Sequence, residues 1–268
     1  MRGCNGAIAI AALSFLCSVA QADLILQLQA TNFNPTTKVW ADSSGKSNDA
    51  LYTAGDPTLT TLGGVTAVHF PGSTYFTLEN MLWQTSPGAG YTAIVVVRPD
   101  AAQSGSILGG VNGNFQYRIG GDGFAFQQQV IVRNIERLGH GNAALSTTPF
   151  SVMSVAVDGA GTSYFLNGAA DGTAQGSTFN VPSATNRIGA AIQPNNTADE
   201  FFLGDIAEIR VYDTPLSSGE ILTIQNELYA LYVVPEPAGV SLLAVAAVGA
   251  LANRWRRDRR SRYAESVQ

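Results

Sequence analysis

The stretch Phe202–Tyr232, FLGDIAEIRVYDTPLSSGEILTIQNELYALY, sets the terms for the rest of the chain. Ala207, Ile209 and Val211 alternate with Glu208, Arg210 and Tyr212 at the period of two that sends side chains to opposite faces of a strand. Thr214-Pro215 turns the chain into a short helix. Ser217 and Glu220 have capping-box spacing, and Leu216 and Ile221 stand where a hydrophobic staple closes over the cap. Behind the cap, Ile221, Ile224, Leu228 and Leu231 recur at helical spacing as one apolar stripe. One strand and one helix cannot bury these faces, so both must dock on a larger body. The upstream sequence, a succession of short strand-forming runs broken by turns, is that body.

This segment resembles the end of a LamG-like domain of the concanavalin A-like lectin/glucanase superfamily: a Gly-x-Ile-x-Glu strand running on through Arg210 to Tyr212, then Leu216-Ser217 and a Glu-containing helix. Looser likeness extends over residues 23–232. The resemblance implies an all-β fold, a two-sheet antiparallel jelly-roll sandwich with one short C-terminal helix and a concave face that often binds carbohydrate. It fixes no activity, because the fold hosts both binding modules and glycosidases.

Residues 1–22 read as a signal peptide, with Arg2 as its charged start, an apolar helix over Ala7–Val19 and an A-x-A cleavage site ending at Ala22. Cys4 and Cys17 both lie there, so the processed chain has neither disulfide nor cysteine-ligated metal. Between Asp23 and Val234 there are 17 acidic and 8 basic side chains, 8 − 17 = −9. That balance argues against nucleic acid or an anionic surface as the ligand of this region.

Leu24–Leu28 opens the domain as a strand. Trp40-Ala-Asp42-Ser-Ser-Gly45-Lys-Ser-Asn48-Asp49-Ala50 resembles the family's early W-x-D-x-S-G segment. Physically it is a polar turn anchored by Trp40, with Gly45 free to take positive φ. Asp42, Asn48 and Asp49 offer hard oxygen ligands for calcium; the alternative is an Asx turn that bonds its own backbone. No other cofactor is implied. Pro71-Gly72 separates two strands, and Tyr91–Val97, apolar on both faces, is expected to be central and to end at Pro99. Strands are expected at Ser106–Leu108, Phe115–Ile119 and Gly123–Phe126. Asp158-Gly159-Ala160-Gly161 and Asn167-Gly168 are hairpin turns, the latter matching the family's Y-x-N-G pattern. Asn195-Asn196-Thr197 fits a glycosylation sequon. His69 and His140 stand alone and are read as structural or surface histidines.

A glycosidase of this fold needs two carboxylates on one surface, roughly 5–9 Å apart. The nearest pattern is Asp205-Ile-Ala-Glu208. On a regular strand that spacing sends the pair to opposite faces unless a bulge intervenes, and Glu208 is expected to pair with Arg210 along one face. No nucleophile elbow, zinc helix or phosphate loop is present. Sugar contacts have candidates in Trp83, Tyr91, Tyr117, Phe124 and Gln127–Gln129, although such aromatics equally suit the core.

Residues 233–268 form a tail in three parts. Val234-Pro235-Glu236-Pro237 cannot continue a helix; Ala238–Ala252 is a 15-residue apolar transmembrane stretch; Arg254, Arg256, Arg257, Arg259, Arg260 and Arg262 follow. This order resembles the PEP-CTERM sorting signal, which implies an exosortase-type enzyme as partner. Fifteen helical residues span about 22 Å, short of the ~30 Å hydrocarbon core, which suits a transient anchor with its C-terminus in the cytoplasm. The sequence therefore predicts an exported surface or matrix protein that binds extracellular polysaccharide or mediates adhesion without catalysis. The alternative is a glycoside hydrolase whose site the sequence does not reveal.

Overall fold

The computed structural model describes residues 22–78, 90–110, 115–120, 126–132, 136–175, 186–192 and 197–233. The signal segment upstream of Ala22, Trp83, Phe124, the sequon asparagines and the tail from Val234 lie outside them. Within them the chain runs β1 (Leu24–Asn34), β2 (Val39–Asp42), β3 (Ala50–Ala54), β4 (Thr58–Leu62), β5 (Val65–Pro71), β6 (Tyr75–Leu78), β7 (Tyr91–Pro99), β8 (Gly105–Gly109) and β9 (Phe115–Ile119). It continues through β10 (Gln128–Val132), β11 (Glu136–His140), β12 (Ser151–Val157), β13 (Gly161–Leu166), β14 (Ala169–Gln175) and β15 (Arg187–Ile188). The short pair β16 (Ala191–Ile192) and β17 (Ala198–Asp199) then leads to β18 (Leu203–Tyr212) and the helix α1 (Ser218–Tyr232). The expected all-β sandwich with a C-terminal helix is what forms. Of the strand expected over Gly123–Phe126, residues 123–125 lie outside the described residues; Phe126 lies in a turn and the ladder resumes at Gln128.

Strands β14-β13-β12-β7-β18-β1 make one sheet, and β2-β3-β6-β15-β8-β9-β10-β11 the other, all their ladders antiparallel. The first strand joins the two. Its Leu24–Gln29 half pairs with β18; on its other edge Leu28 pairs with Asp42 and, after a register shift, Phe33 and Asn34 pair with Trp40 and Val39 of β2. The edge of β18 away from β7 is shared, with β5 along Leu203–Ile206 and β1 along Glu208–Tyr212. Alternate residues of the facing strands fill the interior: Leu26, Leu28, Val95, Val97, Ile206, Ile209 and Val211 from one side meet Trp40, Phe76, Tyr117, Ile119 and Ile188 from the other. Phe33, Trp40, Phe70 and Phe76 meet with ring centroids 5.7–6.5 Å apart, mostly edge to face.

β7 is buried on both faces, as its composition predicts. Its second face, Ile94 and Val96, joins Val65, Ala67, Phe150, Val152 and Ala207 under Leu228 of the helix. The capping box forms: Ser217 Oγ accepts from Glu220 N, and Glu220 Oε2 accepts from Ser217 N at 2.8 Å. The apolar stripe is rotated from expectation. The face against the sheet is Ile221, Gln225 and Leu228, whereas Leu231 is 59% exposed. Gln225, fully buried, donates to Ser154 Oγ (2.6 Å), Val152 O (3.1 Å) and Phe165 O (3.2 Å), and accepts from Gly168 N at 2.8 Å. Asn167 and Gly168 both have positive φ (51° and 80°), and a side chain at 168 would run into Asn226 Oδ1. The Asn-Gly hairpin is therefore the seat of the helix.

Removing residues 214–233 is expected to lower the thermal midpoint sharply, because it strips the outer face of β7 and β12. Ser217→Ala should cost about 0.5–2 kcal/mol. Gln225→Ala should cost more than Ser217→Ala, because each buried group left unpaired costs about 1–3 kcal/mol. Urea midpoints of the three variants check this order.

Candidate functional site

The carboxylates of β18 depart from the regular-strand expectation. Ile206 faces Val97 and Glu208 faces Val96, so Ala207 is an extra residue on this strand, a β-bulge. The bulge returns Asp205 and Glu208 to one face, the outer one, with Arg98, Val96 and Ile94 opposite. Both are buried and neutralised. Asp205 accepts from Arg98 Nε at 2.9 Å and from Arg98 Nη2, and from His69 Nδ1 at 3.0 Å. Glu208 accepts from Gln27 Nε2 (2.9 Å), Arg210 Nε (2.6 Å) and the Tyr232 hydroxyl (2.7 Å). The expected Glu208–Arg210 pair is present. Burial opposes the charge on Arg210, but Glu208 outweighs it and raises the guanidinium above its usual range. Burial, then the bond to Glu208, pushes the Tyr232 phenol up. Each carboxylate is spent on structure: one ties β5 and β7 to β18, the other ties the end of α1 to it.

The residues of the Trp40 turn bond one another. Asp42 Oδ1 accepts from Gln27 N (2.8 Å) and Ser44 N (2.9 Å), and Oδ2 from Ser44 Oγ (2.7 Å) and Asn48 N (3.0 Å). Asn48 Nδ2 donates to Ile25 O at 2.5 Å, and Asp49 Oδ1 accepts from Asp42 N at 2.8 Å. Gly45 has the expected positive φ, 81°. This is an Asx-type turn that clips β1 to β2. Among the described residues, no group of three or more His, Cys, Asp or Glu is arranged to hold a metal ion. Burial alone would raise the Asp42 carboxyl; bonds from the Gln27 and Ser44 amides and the Ser44 hydroxyl, with that of Asn48, outweigh it and hold the carboxyl below its usual range. A depressed carboxyl contributes stability that is present above its unfolded value, about 3.9, and lost as pH falls through the folded one. Asp42→Asn should therefore lower the thermal midpoint at pH 6 and lose less of it between pH 4 and 2 than wild type, as pH-dependent melting will read.

The polar face that remains lies on the second sheet, pointing away from the interior. Tyr117 and Ile119 of β9 belong to the core, so Gln116 and Arg118 take the other face, and Gln129 lies opposite Arg118. The same alternation brings out Arg187 beside Ile188, and Tyr75 and Thr77 around Phe76. Arg118 donates from Nε to Gln129 Oε1 (3.0 Å) and from Nη1 to Glu200 Oε1 (2.7 Å) and Ser104 Oγ (3.4 Å). The Arg187 guanidinium lies 4.6 Å from the centroid of Tyr75, whose ring is 6.2 Å from that of Phe201. Burial lowers the Arg187 guanidinium, against a smaller opposing effect of Tyr75. Gln116 is 2% exposed and its Oε1 accepts no hydrogen bond; Glu200 Oε2 accepts none either. Glu200 is held over Arg118 by a backbone at φ 46°, a conformation a non-glycine residue adopts at a cost of order 1–3 kcal/mol.

Of the aromatic candidates, Tyr91 and Tyr117 are interior, and burial pushes both phenols up. Gln128 also turns inward, bridging the Tyr117 hydroxyl, Phe165 O and Asp171. Gln129 alone of its run reaches the outer network. His140 Nδ1 contacts Gly141 O at 2.7 Å. Arg118, Arg187, Tyr75 and Glu200 are not among the site candidates that the sequence offers, although Gln116 and Arg118 do alternate with apolar neighbours in Phe115–Ile119.

No curated protein matches the chain. Solved structures of the same fold include domain 4 of AbnA, a GH43 extracellular arabinanase from Geobacillus stearothermophilus, in complex with arabinotriose. It is 17% identical, with a TM-score of 0.60 over 77% of this chain and 98% of that one. The binding domain of botulinum neurotoxin DC, in complex with rat synaptotagmin II, is 12% identical with a TM-score of 0.55, over 77% of this chain and 52% of that one. The binding domain of Paraclostridial Mosquitocidal Protein 1 is 8% identical with a TM-score of 0.58, again over 77% and 52%. The family model described as Concanavalin A-like lectin/glucanases superfamily matches residues 70–222, more than half of the sequence, and the chain belongs to that superfamily.

Proposed function

We propose that this protein is an exported, non-catalytic glycan-binding or adhesion module that acts at the cell surface or in the extracellular matrix. The carrying observation is the outer face of the second sheet. The half-buried rings of Tyr75 and Phe201 stand there beside the guanidinium of Arg187, which with Arg118 and Gln116 forms a polar layer beneath the surface, at 6%, 4% and 2% exposure. Aromatic faces pack against the apolar side of a sugar ring, and polar groups held beneath them fix its orientation. One structural neighbour, domain 4 of AbnA, is in complex with a sugar, arabinotriose, which supports this class of ligand. Hydrolysis has less support, since both carboxylates of β18 are committed to ion pairs. A glycan array probed with the folded domain, with and without chelator, tests the reading. Binding is expected to survive chelation, and Tyr75→Ala or Arg187→Ala should weaken it at least about tenfold, the scale of one lost contact of about 1.4 kcal/mol. β-Glucans and galactans should remain intact; turnover abolished by Glu208→Gln would sink the non-catalytic reading.

Sorting belongs to the same proposal. The Pro-Glu-Pro motif, apolar stretch and arginines would hold the domain outside the membrane until an exosortase-type enzyme removes the tail. Mass spectrometry of the mature protein from its native host should find the C-terminal peptide missing. Intact Val267-Gln268 on the mature protein would leave a plain anchor instead.

A further inference from the structure

We propose that removal of the signal segment completes an ion pair: the new α-ammonium group of Asp23 seats on the Asp213 carboxylate, so the fold itself holds the correctly processed N-terminus. This rests on the exported reading, in which cleavage follows Ala22. The backbone nitrogen of Asp23 already lies 2.9 Å from Asp213 Oδ1. The return contact is also made, Asp213 N donating to Asp23 O at 3.1 Å, so the two residues bracket each other across the start of β1 and the end of β18. The Asp23 side chain has a partner of its own at the surface, its Oδ2 lying 3.1 Å from Lys46 Nζ. In the unprocessed chain the nitrogen is an ordinary amide. Hydrolysis of the Ala22–Asp23 bond adds water across it, leaving a carboxylate on the departing segment and a protonated amine at the position the amide held. A neutral hydrogen bond thereby becomes a charge-assisted one.

The surroundings favour that charge. The groups facing it are Asp213, the carboxylate of Asp23 with its Lys46 partner and, across the adjoining cavity of about 530 Å³ that Ala22 lines, Tyr212 and Glu220. Carboxylates outnumber cations among them. Position matters because the bracket is one residue wide. Cleavage one bond earlier would put the charge on Ala22 and leave Asp23 N an amide; cleavage one bond later would remove Asp23 with both of its contacts. An exposed pair of this kind adds little to stability. Its signature is the titration of the amine, which a raised value displaces above the ordinary ~7.7–8.0.

The experiment begins with the mature protein from its native host, whose N-terminus mass spectrometry reads; Asp23 is expected. The α-amino group is then titrated by NMR in three chains, each released from a cleavable fusion: residues 23–268, the same with Asp213→Asn, and the chain that retains Ala22. Residues 23–268 should titrate above the ordinary range, and Asp213→Asn should bring the amine back to it. The Ala22 chain should titrate normally. A stabilisation from a raised amine is full below its unfolded value and lost as pH rises through the folded one. The thermal midpoint of residues 23–268 should therefore exceed that of the Ala22 chain at pH 6 and converge with it by about pH 10. An amine that titrates normally in residues 23–268, unmoved by Asp213→Asn, overturns the ion pair. A mature N-terminus elsewhere overturns the processing reading on which the proposal stands.

Discussion

The extra residue at Ala207 governs the rest of the structure. The inward set of β18 is Ile206, Ile209 and Val211, a spacing of three and then two that no regular strand supports. Without the bulge, Ile206 and Ile209 would point to opposite faces, and one would have to leave the core. With it, the strand keeps its pairing to β7 throughout and changes partners on its other edge, from β5 to β1, at the same point. The local bend that a bulge gives a strand is where the two neighbours meet. It also delivers two acidic side chains to one surface. That surface is already occupied, by Arg98 and His69 for Asp205 and by Arg210, Gln27 and Tyr232 for Glu208. Unpaired, either carboxylate would be an uncompensated buried charge. The ion pairs are the condition on which the bulged strand can be buried at all.

The helix completes that surface, with a polar knob at the centre of its contact. Gln225 donates to the carbonyls of Val152 and Phe165 in the β12–β13 pair and accepts from the turn that joins β13 to β14. Leucine there would fill the space and leave Gly168 N–H unpaired. The bonding fixes the helix in rotation and in height, which the apolar contacts of Ile221 and Leu228 would not do alone.

Much of this architecture was legible in the sequence. Ser217 and Glu220 marked the helix start because a capping box is a local reciprocal bond, and Tyr91–Val97 marked the central strand because both of its faces are apolar. The turns at Pro71-Gly72, Asp158–Gly161 and Asn167-Gly168 follow from backbone preferences that act within a few residues. What sequence reasoning missed is long-range. Alternation gives the faces of a strand only relative to one another, so Tyr117 and Arg118 could not be assigned until β9 was set against β8 and β10. The bulge reverses that alternation at a single alanine. Gln225 sits at a helical position that a hydrophobicity pattern skips, and so the docking face was read about one residue away. The candidate sugar contacts read from the sequence are aromatic residues and the Gln127–Gln129 run, of which Gln129 reaches the outer network. Inside a sandwich this wide, the large rings of Tyr91 and Tyr117 are needed as filling.

The first strand carries a consequence for how the domain comes into being. Leu24 pairs with Tyr212 and Gln29 with Glu208, while the far end of the same strand pairs with β2 a few residues away. The earliest segment of the chain is thus the hinge pin between two sheets, and its main partner is the last strand. Until residue 212 is available, β1 has an open edge and the sandwich cannot close. Contacts so distant in sequence slow folding, since the loop between them must be closed before any of its pairing is gained. The domain is thereby kept from locking before its last strand exists. The same topology that joins the finished sheets leaves the growing chain open until almost all of the domain has been made.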